Sequence, residues 1–172
     1  MVVWTIGHGT RSGDELLDCL RRAGVETLVD VRRYPGSRRN PQFNQEPLAR
    51  RLAEAGIEYR HAVELGGRLH DEPGAERFAC IRQPAFRAYA ARMGAPEWQA
   101  ALERELAQPA PCMMCAETRW WRCHRRLIAE LLTARGETVR HLLGPHEVQA
   151  HRLYDESSVR DGHLYLCGEL VA

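Results

Sequence analysis

Three times in this chain a helix-period segment ends at a glycine that runs straight into a short apolar strand: "AGVETLVDV" at 23–31, "AGIEYRH" at 55–61 and "RGETVRHLL" at 135–143. A glycine there suits the left-handed C′ position that ends a helix, so Gly24, Gly56 and Gly136 mark tight helix-to-strand turns. A chain that repeats strand, helix, glycine, strand can pair its strands in parallel, because parallel neighbours need a crossover of about a dozen residues, usually a helix. The pattern therefore predicts an α/β fold, a three-layer arrangement with a mostly parallel sheet of about five strands and helices on both faces. The strands fall at Val2–Ile6, Thr27–Val31, Ile57–His61, Cys112–Cys115 and Thr138–Leu142. Helical stretches begin at the capping pattern Ser12-Gly13-Asp14-Glu15, run over about 46–55 and 84–106 with a break at Gly94-Ala95-Pro96, and restart near Cys123 or His124. One domain over residues 1–172 is expected, with a core over about 1–143 and a C-terminal extension, 144–172, packed on it.

The turns at the other ends of the strands are long and loaded with Arg, His and Gly. They read "GHGTR" after the first strand, "RRYPGSRRNPQFN" after the second, "ELGGRLHDEPG" after the third and "AETRWWRCHRR" after the fourth. Open parallel sheets bind ligands outside the carboxyl ends of their strands, where the strand order reverses. The lopsided loading of the loops thus places a candidate site at that edge.

Charge narrows the ligand. The formal net charge is only +1, which argues against a broad basic face that coats nucleic acid. All 24 basic residues are Arg, so every fixed cation is a planar fork suited to phosphate or carboxylate. No apolar run has the roughly 20 residues that a membrane-spanning helix needs, and the opening "MVVWTIGHGT" carries no basic leader. A cytoplasmic location with six reduced cysteines is expected, Cys19, Cys80 and Cys167 serving as inert small hydrophobes.

The densest chemistry lies in "CMMCAETRWWRCHRR" at 112–126. Cys112 and Cys115 have zinc-knuckle spacing, with Cys123 and His124 to complete four ligands. Side chains alternate along a strand, however, so residues three apart point to opposite faces. No metal is assigned. A phosphatase-type loop needs five residues between cysteine and arginine, and here six separate Cys115 from Arg122. Cys123 at a helix start, flanked by Arg122, His124 and Arg125, is placed to become a thiolate, since unpaired N–H groups and neighbouring cations favour an anion. Glu117 and His124 are the candidate proton carriers. His8 leaves the first strand at the same edge. Asp30 lies in a strand buried on both sides and needs a partner, which Arg32 supplies from the same face. Arg11, Arg38 and Arg39 are further candidate ligand groups; Trp120 and Trp121 either stack on a ligand ring or cover the sheet edge.

These segments resemble a bacterial and archaeal family, domain of unknown function 488. "TIGHGTR", "LVDVRRYPGSRRNPQFN", "YRHAVELGGR", "FRAYAARM" and "CAETRWWRCHRRLIA" carry the resemblance, with Gly9 where the family usually has Ser and Arg119-Trp120 where it often has Asp-Pro. The resemblance implies an α/β fold and signature positions at Gly7, His8, Arg11, Asp30, Arg32, Pro35, Arg38, Gly66, Gly67, Cys115, Glu117, Cys123, His124 and Arg125.

The sequence thus points to an enzyme acting on an anionic ligand, phosphate- or carboxylate-bearing, with nucleotides and nucleic-acid ends among the candidates. Cys123, Glu117, His124 and His8 would carry the chemistry. Arg11, Asp30, Arg32, Arg38, Arg39, Gly66, Gly67, Cys115 and Arg125 would bind. No cofactor is called for, and the partner class is an anionic small molecule or nucleotide, with nucleic acid second and a membrane excluded. A non-catalytic nucleotide or nucleic-acid binding module and a zinc-stabilised module stand as alternatives.

Overall fold

The computed structural model describes residues 1–172. In chain order the main elements are β1 (Val2–Gly7), α1 (Gly13–Arg22), β2 (Thr27–Asp30), α2 (Gln45–Glu54), β3 (Glu58–His61), α3 (Pro84–Met93), α4 (Pro96–Leu106), β4 (Pro111–Cys115), α5 (Arg125–Ala134) and β5 (Thr138–Gly144). The C-terminal segment adds β6 (Glu147–Ala150), β7 (Ser157–Arg160), β8 (His163–Leu166) and β9 (Glu169–Leu170).

The main sheet has six strands in the order β3-β2-β4-β1-β5-β6. The first five are parallel and β6 closes one edge antiparallel to β5. Alternation along the strands builds two cores. Cys112 and Met114 of β4 and Leu28 of β2 face α1 and α2; Met113, Cys115 and Val29 face α3, α4 and α5. Cys112 and Cys115 therefore lie on opposite faces of the sheet and cannot share an ion. No helix is long and apolar enough to cross a membrane.

Local chemistry explains the elements. Ser12 caps α1, its Oγ accepting from the Glu15 N–H at 3.1 Å, while Leu16, Cys19 and Leu20 turn inward. The Glu15 side chain does not return to Ser12 as in a full capping box; it pairs with Arg11 instead. Gly24, Gly56 and Gly136 take φ of +67°, +74° and +86°, the left-handed region where a side chain is strained.

The C-terminal extension carries structure that the sequence reading did not specify. Beyond the sixth strand, it folds β7, β8 and β9 into a separate antiparallel sheet whose Leu164, Leu166 and Val171 join the α5-side core. Glu130, fully buried in the middle of α5, anchors this segment by accepting from the Tyr154 N–H at 3.2 Å and from the Ser157 hydroxyl. Cys80 and Cys167, expected as reduced hydrophobes, form a disulfide with Cα atoms 5.6 Å apart. Their sequence separation of 87 conceals the pairing, because only the packing of the extension brings them together.

Candidate functional site

Strand order reverses between β1 and β4. The chain leaving β1 crosses to the face that carries α1, and the chain leaving β4 crosses to the face that carries α5, so their exits part and open a crevice. A cavity of about 680 Å³ occupies it. Its walls come from all four decorated loops, together with Ala85 and Phe86 at the start of α3.

At the β1 exit, His8 is almost fully buried and stacks on Phe43 with ring centroids 4.6 Å apart. A guanidinium has only donors, so the 3.3 Å contact means that Arg32 Nη1 donates to His8 Nε2. The His8 proton then sits on Nδ1, which donates to the Gly9 carbonyl at 2.9 Å. Burial lowers the pKa of this ring and keeps it neutral. With both ring nitrogens engaged, His8 positions Arg32 more readily than it moves protons. Arg32 is in turn fixed by Asp30, through Nε at 2.9 Å and Nη2 at 2.6 Å, and by the Phe43 carbonyl at 2.7 Å. Tyr59 completes the Asp30 carboxylate at 2.7 Å, and burial pushes its hydroxyl pKa up. Asp30, expected among the ligand-binding groups, lies beneath the cavity and holds Arg32.

At the β4 exit, Cys115 and Cys123 both reach the cavity wall. Helix α5 starts at Arg125, one or two residues later than the sequence suggests, and His124 is its N-cap. His124 Nε2 donates to the Val31 carbonyl at 3.0 Å, which leaves the Nδ1 lone pair facing Cys123 Sγ at 3.5 Å. Burial lowers the His124 pKa, so this nitrogen is unprotonated and can accept. Burial alone would raise the Cys123 thiol. The Cys115 side chain, the Arg125 charge and the Arg125 backbone N–H outweigh it and bring the pKa below the usual cysteine value. Gly67 packs flat against this pair: a Cβ there would come within 2.5 Å of His124 Nδ1.

Four exposed guanidinium groups, those of Arg33, Arg68, Arg119 and Arg122, line the cavity, and none forms an ion pair or hydrogen bond. Glu117, also exposed, is the only carboxylate on the wall. Other arginines do find carboxylates: Arg104 reaches Glu105 at 2.9 Å, and Arg135 reaches Glu103 at 2.8 Å. Arg68 takes a φ of +58°, a left-handed conformation that a side-chain-bearing residue enters at a cost of about 1–3 kcal/mol. Tyr34 and Phe86 add aromatic rings to the cavity lining.

Several residues singled out from the sequence stand elsewhere. Arg11 is a clamp, donating through Nε to the Gly7 carbonyl at 3.1 Å, to the Leu143 carbonyl and to Glu15. Arg125 is fully buried and ties the Glu117 carbonyl at 2.8 Å and the Thr118 carbonyl at 3.2 Å. Arg38 and Arg39 point to solvent outside the cavity, because Ser37 and Asn44 knit the turn: the Ser37 N–H donates to Asn44 Oδ1 at 2.6 Å and the Asn40 N–H to Ser37 Oγ at 3.1 Å. That turn presents Ser37 and Asn40 to the cavity. Gly66 lies behind the wall, packed on the Val63 carbonyl and Arg33 Cα. Trp120 is buried flat on His141 at 4.3 Å and covers the sheet edge, while Trp121 is partly exposed. Arg33, Arg68 and Arg119 were missed and Arg122 was named only as a cation beside Cys123; all four lie in the loops already marked by composition, and nothing in the helical pattern marked Phe86.

No curated protein and no solved structure matches the chain. The family whose model does match, described as Domain of unknown function DUF488, covers residues 12–132, well over half of the chain, and the protein belongs to it.

Proposed function

We propose that the protein is an enzyme that binds a phosphate- or carboxylate-bearing ligand, nucleotides among them, in this cavity and attacks it through the Cys123 thiolate. The observation that carries the reading is the juxtaposition of Cys123 Sγ, 3.5 Å from an unprotonated His124 nitrogen, with four unpaired guanidinium groups on the same wall. His124 takes the thiol proton, and its tautomer is set by the Val31 carbonyl as a third group sets the base in a nucleophile–base pair. Arg33, Arg68, Arg119 and Arg122 hold the anion by charge-assisted hydrogen bonds, each worth roughly 1.5–3 kcal/mol. Arg32, held from below, fixes the floor. Glu117 is placed to return a proton to a leaving group. Tyr34 and Phe86 give a flat ring a surface to stack on.

Alkylation with iodoacetamide across pH tests the reading. A lowered pKa means that the thiolate persists to lower pH, so the Cys123 rate should reach half its plateau below the ordinary thiol value of about 8.5. Cys19 and Cys112 serve as internal references, since burial raises both. Cys123→Ser should remove the fast-reacting thiol. The nucleophile is overturned if Cys123 reacts no faster than a free thiol, and a binding module without catalysis is indicated if Cys123→Ser leaves every measured function intact.

A further inference from the structure

We propose that the Cys80–Cys167 disulfide is a redox switch for the cavity, which is assembled while the bond is intact and loosened by a thiol reductant. Its effect on ligand rests on the reading of the cavity as an anion site. The bond joins the C-terminal extension to the stretch of chain that forms one cavity wall. Residues 66–83, which lead into α3, hold no regular structure beyond one short 3-10 helix, Ala75–Phe78. Both ends of this stretch meet the cavity: Gly67 and Arg68 at its start, Ala85 and Phe86 just past its end, in the first turn of α3. Connections this long without regular structure are characteristically functional or mobile, so whatever pins the middle of this one steadies the wall.

The pin can be traced residue by residue. Cys167 lies in the turn between β8 and β9, and the extension around it is held to α5 independently of the bond, by Leu164, Leu166 and the Glu130 anchor. On the other side, Arg87 of α3 grips the chain on both flanks of Cys80. Its Nε donates to the Ile81 carbonyl at 2.5 Å and its Nη2 to the Ala79 carbonyl at 3.2 Å. Arg87 directly follows Phe86. Noncovalent ties of the stretch include Phe78 and Ile81, which enter the core, the Arg77 bond to the Leu170 carbonyl at 3.3 Å and the Arg92–Glu72 pair at 3.4 Å. Cys80 is exposed and Cys167 half-buried, so a reductant reaches the Cys80 sulfur first, and exposed disulfides are the labile, regulatory kind.

The exchange balances with a dithiol as reductant. One reductant thiolate attacks Cys80 Sγ, forms a mixed disulfide with it and expels the Cys167 sulfur as a thiolate, which takes up a proton. The second reductant thiol loses its proton and attacks the reductant sulfur of the mixed disulfide. Cys80 leaves as a thiolate, is protonated, and the reductant departs as a cyclic disulfide. Two electrons pass from the dithiol to the protein. Without the bond, Arg68 and Phe86 lose their fixed positions and an anion binds more weakly.

Hydrogen exchange and calorimetric titration with inorganic pyrophosphate test this on the full chain, before and after anaerobic treatment with dithiothreitol. Reduction should speed exchange in peptides from 66–86, leave those of β1 and β4 unchanged and raise the pyrophosphate dissociation constant about fivefold or more. The double variant Cys80→Ser, Cys167→Ser should match reduced wild type and ignore dithiothreitol. Unchanged exchange over 66–86 overturns the switch. So does faster exchange that extends through β1 and β4, which makes the bond a staple of the whole fold, and so does an unchanged dissociation constant beside a loosened stretch. Pyrophosphate that binds neither state removes the anion-site reading instead, and the exchange of 66–86 alone then decides whether the bond restrains the cavity wall. Because reduced wild type is read directly, a poorly folded variant does not decide the outcome.

Discussion

Asp30→Asn should destabilise the protein by about 3–5 kcal/mol, the range for breaking a buried ion pair on one side. The carboxylate is fully buried and accepts from the Arg32 backbone N–H, Arg32 Nε and Nη2, and Tyr59. Asparagine keeps the shape but removes the charge, and it cannot offer two acceptor oxygens. The Arg32 guanidinium, itself only 7% exposed, is then left without its counter-ion. Urea unfolding should show a lower midpoint with an unchanged slope. Replacing both Asp30 and Arg32 by apolar residues should cost much less than the two single changes added together, since the penalty lies in the orphaned charge. A single-variant loss below about 1 kcal/mol would mean that solvent already reaches this pair.

Gly7→Ala should be as damaging, at about 3 kcal/mol or more, at the upper end of what overpacking costs. Gly7 ends β1 opposite Cys115, and the chain leaving β4 folds directly over it. A Cβ there would lie 1.8 Å from the Glu117 carbonyl oxygen and 2.7 Å from Thr118 Cα. Neither neighbour can yield. The Glu117 carbonyl is held by Arg125, and the β1 exit is held by His8 and Gly9 N–H bonds to the Cys115 and Ala116 carbonyls at 3.0 and 2.9 Å. The requirement is for the absence of a side chain, because no unusual φ is involved. Gly24→Ala is the contrast: its φ is +67° but open space surrounds it, so a cost near 1 kcal/mol is expected from backbone strain alone. Thermal or urea midpoints of the two variants separate close approach from backbone conformation.

The fold was legible because its signals are local. A glycine after a helix, an apolar run and a four-residue repeat each need only a short stretch of sequence, and Gly24, Gly56 and Gly136 mark their turns in this way. β6 was not legible: "EVQA" is four exposed residues, paired only because β5 runs beside it. The Cys80–Cys167 disulfide and the Glu130 anchor depend on contacts 87 and about two dozen residues apart, which no window of sequence reports. The site divides along the same line. The loops that would gather at the sheet edge could be read from topology, and so could Cys123, His124 and Glu117. Which guanidinium of each loop faces inward could not, because a loop has no period to fix side-chain direction. Arg38 and Arg39 are turned out by the Ser37–Asn44 turn, while Arg33 and Arg119 face in. Buried arginines misled in another way: Arg11 and Arg125 sit in the motif segments, yet Arg11 is tied to the Gly7 and Leu143 carbonyls and Glu15, and Arg125 to the Glu117 and Thr118 carbonyls.

The proposed function requires an anion-selective cavity that opens on one activated thiol. The most direct measurement compares the alkylation of Cys123 by anionic iodoacetate and by neutral iodoacetamide, each relative to a simple thiol in the same buffer. Unpaired cations on the wall should raise the relative rate for iodoacetate by about tenfold or more at low salt, a preference that falls with ionic strength. Pyrophosphate should protect, and replacing Arg119 and Arg122 by Gln should shrink the preference. Equal relative rates for the two reagents, unchanged by salt or pyrophosphate, would contradict it.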